Sequence, residues 1–255
     1  MPVSGTCRLC LEEKDLFKSH FIPDALYPRG RQESRTITRD VVQPGRTKHI
    51  KEHLLCRECE DRFERNGESE VLKWLSPKAK TFALGDRLRV AWPREAYPDI
   101  SRFDARDIDV EAGKFAYFAV SIIWRAAVYQ WTLPDGALST KLDLGVFEDL
   151  VRCYLLDRVP FPADIMSVVV IVCSDAHSRS IWGLPVQNHE AGCENYRFIA
   201  RGVVFRVLVG TRIPHLFREG SCISPRRCIF YGDAAHRVKK DFAPLFDGFE
   251  SKRDW

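Results

Sequence analysis

The chain has 255 residues, 45% of them hydrophobic and 29% charged, enough for one large or two ordinary globular domains. A formal net charge of +4 permits a nucleic-acid partner without requiring one. The opening Met1-Pro2-Val3-Ser4-Gly5 has no apolar run of the signal-peptide kind. The nine cysteines are therefore expected in a reducing cytoplasm, as metal-bound or buried thiols rather than disulfides.

In chain order, the first feature is the knuckle Cys7-Arg-Leu-Cys10, followed by Ser19-His20-Phe21-Ile22-Pro23. Apolar Leu16-Phe17 and Phe21-Ile22 flank Ser19-His20 and predict a strand, which Pro23 ends. Residues 28–51 read as a long polar loop. It carries Arg29, Arg31, Arg35, Arg39, Arg46, Lys48 and Lys51 against only Glu33 and Asp40. Such an insert suits contacts to a phosphate backbone, and it suits a solvated loop equally well.

The second knuckle, Cys56-Arg-Glu-Cys59, opens a predicted helix whose apolar residues include Phe63, Val71, Trp74 and Leu75. Asn66-Gly67 is expected to interrupt it, and Ser76-Pro77 to end it. Two C-x2-C pairs match a closed tetrahedral four-thiolate zinc site formed by Cys7, Cys10, Cys56 and Cys59. With few large apolar residues before position 76, the metal is expected to hold this part together.

Leu84 to Trp92 reads as a strand. Phe115 to Trp131 is apolar nearly all round and predicts a central helix; Ser121, Arg125 and Gln130 interrupt it, so a membrane span is not expected. Phe147 to Leu156 predicts a second, amphipathic helix. Strands are predicted at Ser167 to Cys173, Arg197 to Arg201, Val203 to Gly210 and Arg227 to Tyr231, with a bulge or tight bend at Gly202. Cys153, Cys173 and Cys228 read as small core residues. Asp175-Ala-His177 reads as a turn for want of a second fixed partner, His189, His215 and His236 are the other histidines of this part, and the charged tail from Val238 reads as loosely held. The fold class is α+β. Residues 1–76 are expected to form a zinc-bound module and residues 77–255 an α+β domain with an antiparallel sheet.

The frame Cys-x2-Cys, His-x-Ile-Pro, Leu-Leu-Cys-x2-Cys over residues 7–64 resembles the zinc-containing branch of the HNH (His-Me finger) endonucleases, with their treble-clef-like ββα fold. The resemblance implies metal-dependent hydrolysis of phosphodiester bonds in nucleic acid, DNA before RNA. It makes His20 the general base and gives a catalytic Mg2+ or Mn2+ to the positions of Ser19 and Glu60. The family commonly has Asp or Glu where this chain has Ser19, and Asn or His where it has Glu60, so the carboxylate has moved from one position to the other. His49, His53 and Glu64 are further candidates for ligands. The alternatives are a non-catalytic zinc finger that binds nucleic acid or a protein, and a purely structural finger with the function in the C-terminal domain, which could also recognise a protein partner.

Overall fold

The computed structural model describes residues 2–27, 35–38, 41–44, 50–75, 82–133, 136–175, 177–190 and 192–233. The fold is a mixture of helices and two sheets. The smaller sheet is antiparallel, in the order β1 (Val3–Thr6), β2 (Glu13–His20), β5 (Lys51–Cys56). Between β2 and β5 the chain forms β3 (Arg35–Thr38) and β4 (Val41–Pro44), which belong to the larger sheet. Part of the predicted loop is thus a hairpin, as its β-branched residues Thr36-Ile37-Thr38 and Val41-Val42 favour.

The second knuckle starts α1 (Arg57–Phe63). A π-helical turn over Glu64–Glu68 joins it to α2 (Ser69–Leu75), so the predicted interruption at Asn66-Gly67 is a change of winding within one helix. Next comes α3 (Ala83–Val90), where the sequence suggested a strand. Leu84 and Leu88 are four residues apart, and both are buried from one helical face. After β6 (Glu95–Ala96) and β7 (Ile100–Asp104) comes the central helix α4 (Ala112–Val128), buried on nearly every side, and then α5 (Glu148–Leu155). The remaining elements are β8 (Met166–Cys173), β9 (Ile181–Glu190), β10 (Cys193–Ala200), β11 (Val203–Val209), α6 (His215–Glu219) and β12 (Cys228–Gly232).

The larger sheet runs β4-β3-β9-β10-β11-β8-β12-β7-β6. It is mixed rather than antiparallel, because β12 runs parallel to β8 and β3 parallel to β9. The β10–β11 turn is Arg201-Gly202, both at positive φ (53° and 80°), which is the conformation a two-residue hairpin with right-handed strand twist requires. Opposite β10, β9 carries an extra residue at Leu184-Pro185; proline cannot donate to a ladder, and a bulge accommodates it.

The apolar residues of the N-terminal part do not form a core of their own. Phe21, Ile22, Leu26, Leu54, Phe63 and Trp74 join one buried cluster with α4 and the inner face of the large sheet. Phe63 packs edge-on against Trp124 and Tyr117 of α4, while Phe118 on the same helix meets Phe198 and Phe205 of the sheet. This cluster crosses the expected boundary at residue 76. No helix among the described residues is long and apolar enough to cross a membrane.

Candidate metal centre and the adjoining finger corner

The first knuckle is the turn between β1 and β2. Cys7 N–H donates to Glu12 O at 2.9 Å, Leu11 N–H to Cys7 O at 2.8 Å, and Leu11 takes a positive φ of 64° to close the turn. Arg8 N–H donates to Leu54 O at 3.1 Å, tying the knuckle to β5. A bulge at Leu54 in β5, opposite Phe17 and Lys18, breaks the simple alternation, so that Leu54, Leu55 and Cys56 are all buried. Cys56 then ends β5 at the mouth of α1, with Cys59 one turn in.

The four sulfur atoms of Cys7, Cys10, Cys56 and Cys59 all lie within 4.8 Å of one another. Cys56 N–H donates to Cys7 Sγ at 3.4 Å, and Cys10 Sγ lies 3.9 Å from Cys56 Sγ. A hydrogen bond from Cys59 pushes the Cys7 thiol down to about 4. That same bond, followed by burial, pushes Cys59 up. Burial foremost pushes Cys56 up to about 12. One thiolate is thus favoured and further ones are opposed, which is the electrostatics of a site where a cation would let all four ionise. The donor set fits a metal ion such as zinc. The other five cysteines are free thiols; Cys173 and Cys228 are buried as expected, along with Cys193 and Cys222, and Cys153 is half-buried.

Near the end of β2, Ser19 is fully buried and its hydroxyl bonds the Glu60 carboxylate. The same oxygen accepts from Leu55 N–H at 3.2 Å. Burial raises the Glu60 carboxyl above its usual range, while Arg125 and Ser19 pull it the other way. Arg125 reaches this corner from α4 and is 1% exposed. Its Nη2 donates to Glu68 Oε1 at 2.6 Å, its Nη1 to Phe21 O at 3.5 Å, and its guanidinium lies 4.6 Å from the Phe63 ring centre. Ser19 and Glu60, the positions suggested for a catalytic cation, are therefore engaged with each other. Among the described residues, the only group of His, Cys, Asp and Glu arranged to hold a metal is the four cysteines. As placed, Ser19 and Glu60 do not fit a hard divalent cation, which needs several oxygen ligands.

His20 ends β2 on the face opposite Ser19, half-buried, with Nε2 3.8 Å from Asp24 Oδ1. His53 is half-buried on β5, and Glu64 is exposed. Of the basic insert, Lys51 is exposed at the start of β5, and Arg35 starts β3. Arg29, Arg31, Arg39, Arg46, Lys48 and His49 lie outside the described residues, as do His236 and the tail. Asp175 accepts from both N–H and Oγ of Ser178 at 2.8 and 2.7 Å, so that segment is a capped turn.

Arg125 and Glu68 went unnoticed as site residues. The signal was present, since a single arginine in an otherwise apolar helix needs a buried partner. No family model matches the chain, and neither the curated proteins nor the solved structures contain a match.

Proposed function

We propose that the chain is a zinc-anchored nucleic-acid-binding protein in which the HNH-like finger acts as a docking module. The four-thiolate donor set supports zinc in a structural role, because four protein ligands leave no open position for substrate. The observation that carries docking over cleavage is the closed corner in which Glu60 is bonded to Ser19 and faces the buried Arg125 cation. In this reading the basic residues from Arg29 to Lys51 contact phosphates, and within that stretch β3 pairs with β9 of the large sheet.

Hydrolysis of phosphodiester bonds is the second reading. It is favoured by His20, half-exposed at the end of β2 with Nε2 3.8 Å from Asp24 Oδ1, the pairing of an imidazole base with an orienting carboxylate. One experiment separates the two. Fluorescence anisotropy with labelled single- and double-stranded DNA and RNA, over a range of salt, should give binding whose affinity falls as salt rises. Arg31→Gln with Lys48→Gln should flatten that slope. Plasmid cleavage by the same preparation with Mg2+, Mn2+ or Zn2+ should not exceed the protein-free control. Cleavage that is present in wild type and lost in His20→Ala would establish hydrolysis instead, and absence of any nucleic-acid binding would sink both.

A further inference from the structure

A cavity of about 600 Å³ opens beside the finger, within the roughly 300–1,000 Å³ range of small-ligand sites. Phe21, which follows His20 directly, lines it together with Leu142 and Leu184. Its polar lining is Ser139, Thr140, Gln187, Asn188, His189 and Glu194. Glu194 Oε2 accepts from Gln187 Nε2 at 3.0 Å, and Oε1 lies 2.8 Å from His189 Nδ1. Gln187 is itself held, because its amide accepts from Asp143 N–H at 2.9 Å and donates to Asp143 O at 3.1 Å. The carboxylate is therefore fixed in direction, and each oxygen keeps lone-pair capacity for a further donor. Gln187, then His189, holds Glu194 below the usual carboxylate range, so it is an anion at neutral pH.

An oriented anion in a cavity of mixed polar and apolar lining disfavours phosphate and accepts N–H groups. A planar ring with two adjacent N–H donors would satisfy both oxygens. Among the common nucleobases, guanine presents that pair on one edge, as N1–H and the exocyclic amine. We propose that this cavity binds a guanine base edge-on to Glu194, the base coming from an extruded nucleotide of a strand or from a free guanine nucleotide. As a site for a strand, it rests on the docking reading above.

Isothermal titration of the full chain with GMP, AMP, CMP, UMP and IMP tests the pocket. GMP should bind best, and IMP, which lacks the amine, should bind more weakly. Glu194→Gln, nearly the same shape, should weaken GMP about tenfold and erase the preference over IMP. Equal binding of all five or no binding of any, together with no guanine preference in the oligonucleotide arm below, would overturn the proposal, as would a guanine preference that survives Glu194→Gln. A second arm uses single-stranded oligonucleotides that differ by one guanine-to-adenine change. A preference seen only there assigns the base to a strand; a preference seen only with GMP assigns it to the free nucleotide. Oligonucleotide binding without any base preference, and with no GMP binding, removes the pocket and keeps the docking reading. GMP binding without oligonucleotide binding does the reverse.

Discussion

Arg125 ties the N-terminal part, at Phe21 and Glu68, to the central helix through one guanidinium, and its environment fixes what its loss would do. It is buried, bonds Glu68 at 2.6 Å, and offsets the charge of Glu60. Removing one partner of a buried pair leaves the other charge uncompensated, which typically costs about 3–5 kcal/mol. Methionine refills most of the arginine volume over the Phe63 ring, so the loss in Arg125→Met should be chiefly electrostatic. Arg125→Met is expected to lower the unfolding free energy by that order in urea denaturation. Adding Glu68→Gln should restore a good part of it, because the stranded carboxylate is gone. A double variant as unstable as, or less stable than, Arg125→Met would show that arginine packing, not charge, dominates.

Between α1 and α2 the π turn places Gly67 against α4, and here two magnitudes oppose each other. Gly→Ala inside a helix ordinarily gains about 1 kcal/mol of propensity. At Gly67 a Cβ would lie 2.9 Å from Phe118 N and 3.0 Å from Phe118 Cα, both backbone atoms that cannot swing aside. Overpacking of that kind costs about 1–3 kcal/mol. Gly67→Ala should therefore destabilise the chain, read as a lower Tm; an unchanged or raised Tm would mean that α4 shifts freely. The sequence marked this spot, since Asn66-Gly67 stood out in a helical pattern, but it could not supply the neighbour 51 residues away. The same limit explains the other elements. Both knuckles were legible from cysteine spacing, the helix after the second and α5 from their apolar pattern, α4 from an apolar run nearly all round, and β8, β11 and β12 from β-branched runs, while only the second half of β10 was expected. In β9 that signal is broken by Gly183 and Pro185, and the strand exists because β10 and β3 flank it. In α3 the short run Leu84 to Trp92 fits two periods, and burial of Leu84 with Leu88 decides for the helix. Ser19 and Glu60 were legible as partners through the resemblance, whereas Glu194 and Gln187 were not, because sheet register alone brings them together.

On the scale of the whole molecule, the question is whether a metal bound by the four cysteines would hold a separate module or the entire chain. Composition suggested a module dependent on its metal and bounded near residue 76. Yet Phe63 and Gly67 pack on α4, Arg125 bonds Glu68, Arg62 and Asn66 bond Asp157, and Arg152 Nη1 donates to Leu9 O at 3.4 Å. These contacts surround the finger helix and its knuckle with residues from beyond position 110. Structural zinc contributes on the order of 10 kcal/mol to folding, comparable with the roughly 5–15 kcal/mol net stability of a whole domain. A finger coupled to the core by such contacts should therefore take the core with it when the metal leaves. Metal analysis of the purified protein should give one zinc per chain. A strong chelator, or Cys56→Ser, should lower the Tm in one cooperative transition, seen alike by far-ultraviolet circular dichroism and by tryptophan fluorescence, since Trp124 and Trp131 are buried in the shared core. If the finger were an independent module, the chelator would remove a minor first transition and leave a second at its original temperature, with the fluorescence of the core unchanged. That outcome would make residue 76 a true domain boundary, and the contacts on α4 would then be a dockable interface rather than part of one core.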